Sequence, residues 1–215
     1  MATDHIVKQG DYLAKLAKQF RLPANAIWNH SNNADLKEKR PNPNVLFPGD
    51  HLYIPDLKPR EESCNTDKLH QFETPSSSLR LRLVLEDQYE RPIANANCVL
   101  GIGSDFQSLT TDGNGRIDQI IPPDAQEGFV TIQDPETPVR NVRIPLKIGH
   151  LDPIEEVSGQ TARLNNLGYF AGDIDQPDED ALLSAVEEFQ CDFGLQVDGI
   201  CGPNTQSKLK EVHGC

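Results

Sequence analysis

Residues 42–55 read NPNVLFPGDHLYIP. An apolar pair, Leu46 and Phe47, runs into Pro48-Gly49, and a short alternating run, His51-Leu52-Tyr53-Ile54, stops at Pro55. Proline presets φ for the second residue of a β-turn, and glycine supplies the positive φ that a type II turn needs at the third. The stretch predicts a turn feeding one brief strand that Pro55 ends. A single short strand needs a partner, and the sequence upstream offers one. Residues 5–9, HIVKQ, alternate enough for a strand, and Gly10-Asp11 follows. Asp11 is a suitable helix N-cap, after which Leu13, Leu16, Ala17 and Phe20 recur at helical spacing. Pro23 fits the first turn of a second helix through Ala26, Ile27 and Trp28. A polar insert, NHSNNADLKEKRPNPN, leads back to the quoted turn. The expected order is strand, helix, helix, strand, with the late strand pairing with the early one.

The segments HIVKQGDYLAKLAKQFRLPANAIW and NVLFPGDHLYIP resemble the two ends of a LysM (lysin-motif) domain, whose pattern has a V-x-x-G-D start, an apolar helix and a closing P-G-x-x-L-x-I-P. The resemblance implies a βααβ fold that binds N-acetylglucosamine chains of peptidoglycan or chitin. The groove would lie between the loop after the first strand and the loop after the second helix. Carried onto this sequence, it comprises Gly10, Asp11, Tyr12 and Leu13 on one side, with Ile27, Asn29 and Asn32 on the other. Two departures touch that groove: Tyr12 replaces the usual small hydroxyl residue, and the insert before Pro41 is long. A LysM fold used as a packing module is the alternative.

Residues 57–78, LKPREESCNTDKLHQFETPSSS, have little periodicity and many breakers, and read as a linker. From Leu79 the hydrophobic period switches to two: Leu79, Leu81, Leu83 and Leu85 alternate with Arg80, Arg82 and Val84. Further strands are expected around 96–102, 107–111, 116–121, 128–133 and 139–146, separated by TDGNG, IPPDAQEG and QDPETP. Several short strands at near-regular spacing predict an antiparallel β-sandwich. ERPIANANCVL and SLTTDGNGRIDQIIP resemble transthyretin-like or carboxypeptidase-regulatory-like sandwiches. Asp112, Asn114 and Asp118 mimic part of a calcium loop, but Ile117 and Pro123 stand where an EF-hand has Gly and Glu, so TDGNGRID reads as a hairpin turn.

The remaining residues, 151–215, read as helices at about 155–167, 180–193 and from Gly202-Pro203 through Val212. Asp178, Glu179 and Asp180 suit the dipole at the start of the second. ARLNNLGYFAGDID, AVEEFQCDFGLQVDGICGPNT and SKLKEVHG resemble the peptidoglycan-binding-domain-1 module, with its L-x-x-L-G-Y, A-V-x-x-F-Q, G-L-x-x-D-G and G-P-x-T elements. The resemblance implies a three-helix bundle that docks on cell-wall glycopeptide, with Tyr169, Phe170, Gln190, Asp198 and Gly199 as contacts. For Tyr169 and Phe189 simple core packing is an equal reading. The family's glycine-bearing turn is here DIDQPDED, which adds four carboxylates beyond Asp173. Such a loop repels the peptide carboxylates of a wall ligand.

Charge narrows the partners. The net charge is −13 over 215 residues. Residues 1–56 hold 7 basic and 6 acidic side chains, 57–150 hold 10 and 14, and 151–215 hold 3 and 13. No basic stripe offers itself to phosphates, which argues against nucleic acid, anionic membrane and phosphate-rich wall polymers. No apolar run approaches the length of a membrane span. MATDHIVKQGD shows no signal peptide, so synthesis and retention in the cytoplasm, or export by a route without a cleaved signal, is expected. Cys64, Cys98, Cys191, Cys201 and Cys215 form no CxxC pair; free thiols are expected, with a bridge among the last three as the exception.

Glycan hydrolysis needs two opposed carboxylates, one with a raised pKa, and no acidic residue here stands isolated among apolar ones. Cys64 with His70, His150-Leu151-Asp152, and His213 with Cys215 are the weak nucleophile or metal candidates. No catalytic residue, metal or cofactor is expected. The sequence therefore predicts an α+β multidomain protein: a βααβ LysM domain (1–56), a linker (57–78), an antiparallel β-sandwich (79–148) and a three-helix peptidoglycan-binding bundle (151–215). RPNPNVLFPGDHLYIPD and GHLDPIEEVSGQTARLNNLGY are also similar to small accessory proteins of contractile injection machines, notably type VI secretion clusters. The expected partner is peptidoglycan, with secretion-system or effector proteins as further partners. The alternatives are a structural baseplate-like protein, or an effector chaperone or inhibitor, whose modules bind proteins and not glycan.

Overall fold

The structure, a computed structural model, describes residues 2–56, 63–71, 79–89, 91–133 and 141–215. Its N-terminal part runs β1 (Thr3–Ile6), α1 (Leu13–Phe20), α2 (Ala24–Trp28), a 3-10 turn (Ser31–Asn33), α3 (Ala34–Lys39) and β2 (His51–Ile54). The strands β1 and β2 pair antiparallel, with His5 opposite Leu52. The turn before β2 is the expected one: Asp50 N donates to Phe47 O over 3.0 Å, and Gly49 has φ +93°. Leu13, Leu16, Ile27, Trp28, Leu46, Leu52 and Ile54 form the core between sheet and helices.

Two details depart from the sequence reading. The polar insert is not a plain loop but contains α3. Leu36 is the one buried apolar residue of that helix, too little to register as helical periodicity. What fixes the segment is Asn33, only 1% exposed, which donates to Ile27 O and Tyr53 O and accepts from Tyr53 N. Likewise Asp11 is not the cap of α1. Tyr12 takes that position without a side-chain hydrogen bond to the helix amides, while the Asp11 carboxylate accepts from Lys8 N, Lys15 Nζ and His5 Nε2.

A buried ion pair pins the insert to the turn. Arg40 Nε donates to Asp50 Oδ2 over 2.9 Å, and both side chains are about 95% buried. Phe47 N donates to the same oxygen. Burial opposes the Asp50 charge, but the Arg40 hydrogen bond and the Phe47 amide outweigh it and hold the carboxyl below its ordinary range. Removing either partner strands a buried charge, at a cost of about 3–5 kcal/mol.

The middle of the chain folds into antiparallel strands β3 (Leu79–Val84), β4 (Asn97–Ile102), β5 (Asp105–Thr110), β6 (Arg116–Ile121), β7 (Glu127–Ile132) and β8 (Arg143–Lys147). β3 pairs with β6, and a second sheet has the order β5-β4-β7-β8. Both contribute to one core, where Leu81, Leu83, Ile117 and Ile121 meet Cys98, Leu100, Val130 and Ile132. The last strand is shorter than expected; residues 134–140, with most of the QDPETP turn, lie outside the described residues. Of the linker, only 63–71 is described, exposed and without helix or strand. Asp112 Oδ1 accepts from the amides of Asn114 and Arg116, so it builds a turn with its own backbone.

The C-terminal part holds α4 (Val157–Asn166), α5 (Glu179–Asp192) and α6 (Pro203–His213) around Ile154, Leu164, Ala185, Val186, Phe189 and Leu209. Asp178 caps α5, accepting from the amides of Asp180 and Ala181, so part of the acidic run serves as a helix start. No helix among the described residues is long and apolar enough to cross a membrane.

Candidate functional site

The predicted LysM groove divides into a closed side and an open side. Gly10, Asp11, Tyr12 and Leu13 are all buried, and Ile27 is 0% exposed in the core. Leu13 belongs to the same core. Tyr12, 1% exposed, turns away from its own module: its hydroxyl donates over 2.5 Å to the carbonyl oxygen of Ala125, in the loop between β6 and β7. Its ring lies against Gly149, where any Cβ would collide with it; Gly149 also has φ +78°. Gly10 packs against the His150 ring. Gln9 Nε2 reaches His150 O and Asp152 Oδ1, both at 3.4 Å, and Lys18 pairs with Asp124 at 2.8 Å. That last pair is half exposed and worth at most about 1 kcal/mol. Burial pushes the Tyr12 hydroxyl far above its ordinary pKa, with the nearby Asp124 charge acting the same way.

Asn29 and Asn32 are exposed. Asn29 Oδ1 accepts from Lys37 Nζ over 2.7 Å, leaving its amide nitrogen to solvent, and Asn32 N donates to His30 Nδ1. The His30 ring sits 4.6 Å from that of Tyr53. Of the seven residues expected in the groove, these two face outward.

In the C-terminal module the structure brings Gln190, Asp198 and Gly199 into one knot. Gln190, 1% exposed, accepts from the amides of Asp198 and Gly199, and its Nε2 contacts Asp198 Oδ1, Ile200 O and Thr205 Oγ1 at 2.9–3.0 Å. It therefore shapes the 198–200 loop and presents nothing to a ligand directly. This corrects its expected contact role; a glutamine is long enough to satisfy a whole turn from inside. The Asp198 carboxylate is exposed, and the Ile200 amide, followed by Gln190, holds it below the ordinary range. Tyr169 does both things weighed for it: its ring meets Phe189 edge-on at 5.6 Å, and its hydroxyl donates to Asp192 over 2.9 Å. Phe170 is 78% exposed, and Val197 and Ile200 are more than half exposed.

Of the nucleophile candidates, the structure brings His213 and Cys215 together. Cys215 Sγ lies 3.3 Å from His213 Nδ1, and Asn166 Nδ2 lies 3.1 Å from His213 Nε2. Burial raises the Cys215 thiol above its usual pKa, and burial with the nearby Arg163 charge lowers His213 to about 4. Both shifts disfavour the thiolate–imidazolium pair that a cysteine nucleophile needs. Burial also pushes Cys201 up to about 11. None of the cysteines, all among the described residues, forms a disulfide.

Sequence reasoning missed a cleft between the two end modules, lined by Arg40, Val45, Ile154, Arg163 and Lys210 among others. One signal was available: residues 151–215 contain only three basic side chains, and one, Arg163, falls on the buried face of α4.

Residues 5–55 match the LysM domain family, and residues 155–209 match the putative peptidoglycan binding domain family. Comparison with curated proteins and with solved structures gave no match. The two domains suggest peptidoglycan binding.

Proposed function

We propose that this chain is a non-catalytic peptidoglycan-binding protein that serves as an adaptor or accessory of a contractile injection machine of the type VI secretion kind. The observation that carries the wall-binding reading is the presence of wall-binding domains at both ends of one chain, 5–55 and 155–209. Exposed groups suited to sugar and peptide accompany both: Asn29 and Asn32 in one, Phe170, Asp198 and Ile200 in the other. The middle region is read as a transthyretin-like or carboxypeptidase-regulatory-like sandwich that holds them. The non-catalytic reading is supported by the carboxylates among the described residues: those whose pKa departs from its ordinary value depart downward, as for Asp11, Asp50 and Asp198, whereas a general acid needs the opposite shift. The adaptor role rests on the likeness of segments 40–56 and 149–169 to injection-machine accessory proteins. Such a protein is made in the cytoplasm and meets the wall when the machine carries it there.

One observation favours a second reading for the N-terminal module. The hydrogen bond from Tyr12 to Ala125 commits the loop side of its groove to a neighbour within the chain. In that reading the LysM module is a protein-docking unit and the C-terminal module alone faces the wall.

Sedimentation with purified insoluble peptidoglycan tests both. The full chain is expected to co-sediment, with little weakening as salt rises, because an acidic protein gains nothing from charge attraction to this polymer. Asn29→Ala should remove about 1 kcal/mol if that amide bonds a sugar. Unchanged binding in Asn29→Ala assigns the wall contact to the C-terminal module. A full chain that stays in the supernatant at every salt concentration overturns wall binding. Co-purification of secretion-machine components from native cells tests the adaptor role.

A further inference from the structure

The sheet β5-β4-β7-β8 turns one face to the core of the middle region, through Leu100, Val130 and Ile144. Side chains alternate along a strand, so Phe106, Phe129 and Arg143 stand on its other face. Phe106 is 67% exposed there, and Arg143 is exposed. The register gathers the three. Gly101 on β4 has Phe106 opposite it on one side and Phe129 on the other. A Cβ at Gly101 would come within 2.5 Å of the Phe129 ring, so it is the missing side chain that lets this ring lie against the strand. The Phe106 and Phe129 centroids are 6.0 Å apart. The Arg143 guanidinium stacks on Phe129, with Cζ 3.6 Å from the ring centroid.

Stacking sets the plane of the guanidinium and leaves its edge of N–H donors open. No carboxylate, carbonyl or hydroxyl among the described residues accepts from it. The chain as a whole has 33 acidic and 20 basic side chains, yet this face holds Arg143 and Lys147 with one carboxylate, Glu127, which stands opposite Lys147 in the register. Arg143 is the cation left over. On the same face, toward the other end of β4, Asn97, Ser108, Thr110 and Gln133 line a polar hollow of about 360 Å³. Asn97 lies four residues from Gly101, roughly 13 Å along the strand.

We propose that this sheet face is a third wall-contact site, which takes a peptidoglycan glycan unit bearing a carboxylate. The C–H face of a sugar ring packs on Phe106, the Arg143 guanidinium receives a carboxylate in a bidentate contact, and the hydroxyl and amide side chains of the hollow receive sugar hydroxyls. The inference rests on the wall-binding reading and deepens it. It gives the middle region a part in binding, and it places carboxylate recognition far in sequence from the acidic 173–180 loop. One guanidinium makes a local contact and leaves the net charge of the chain acidic.

The test is residue-resolved NMR of the full chain, titrated with a soluble disaccharide-tetrapeptide muropeptide as the free acid and with its carboxylates amidated. The free acid should move the backbone amide signals of 105–110, 128–131 and 142–144. Its affinity read at these signals should be at least about fivefold higher than that of the amidated form, as for a charge-assisted hydrogen bond. Phe106→Ala and Arg143→Gln each replace an exposed side chain, and unchanged amide signals in both end modules verify their fold. Phe106→Ala should weaken both ligands at this face at least about fivefold, as for a lost stacking contact. Arg143→Gln should bring the acid down to the affinity of the amide. Sheet signals that stay still, equal affinities for acid and amide, or an unchanged affinity in either variant overturns the proposal. Signals that move only within 5–55 or 155–209 keep wall binding and remove this site. Signals that move nowhere, in a chain that also fails to sediment with insoluble wall, overturn both.

Discussion

The Tyr12 hydroxyl donates a hydrogen bond to the carbonyl oxygen of Ala125, 113 residues further along the chain. The contact ties the loop after β1 to the loop between β6 and β7. It stands where the LysM resemblance would put an open, glycan-facing side chain.

Tyr12→Phe should therefore destabilise the protein, by about 1–2 kcal/mol, because it leaves a carbonyl without its donor. Tyr12→Ala should cost more, through lost burial of the ring. Denaturant unfolding measures both. If Tyr12→Phe unfolds at the wild-type midpoint, the hydroxyl contact carries no energy and the two modules are not joined by it. In alkaline titration Tyr12 should ionise only as the protein unfolds, since its pKa is raised far above the ordinary value.

Gln190 ties α5 to the 198–205 segment from inside. Gln190→Ala strands two amides and should cost about 2 kcal/mol or more. Gln190→Glu should cost more at neutral pH than at pH 4, because its carboxylate would face that of Asp198. A stability loss in Gln190→Ala below about 0.5 kcal/mol would show that the loop holds its shape without the glutamine.

The His213 imidazole gives a pH signature. Its pKa is lowered from 6.5 to about 4 by burial, then by Arg163. The unfolded chain takes up this proton first, so the neutral imidazole costs nothing above about pH 6.5, and stability falls as pH drops from there toward 4. Allowing for partial exposure, the loss is about 1–2 kcal/mol. Asp11 and Asp50, both held below the ordinary carboxylate range, add their losses at lower pH. Urea unfolding at pH 7, 5.5 and 4.5 should show a steeper decline for wild type than for His213→Gln. Parallel declines would remove His213 from the account.

Most elements were legible because their signals are local. Pro48-Gly49 specifies its own turn, the alternation from Leu79 its own strand, and Gly202-Pro203 its own helix start; β6 spans 116–121 as read. α3 escaped because one leucine is no periodicity, and the asparagine that holds it acts through backbone groups distant in sequence. The site divides in the same way. Asn29 and Phe170 were legible as exposed polar and aromatic residues beside loops. The roles of Gln190 and Tyr12 were not, since nothing in a sequence says whether a polar side chain points outward to a ligand or inward to a backbone.

Local chemistry thus specified the modules: turn residues, hydrophobic period and capping groups act over a few residues and need no partner from afar. How the modules meet was settled by surfaces that exist only once each has folded. Tyr12 finds Ala125 because Gly149, lacking a side chain, leaves room for its ring. Arg163 and Lys39 line one cleft although 124 positions separate them in the sequence. Both are packing events between surfaces distant in the chain, where complementarity of shape and charge, and not propensity, decides the outcome.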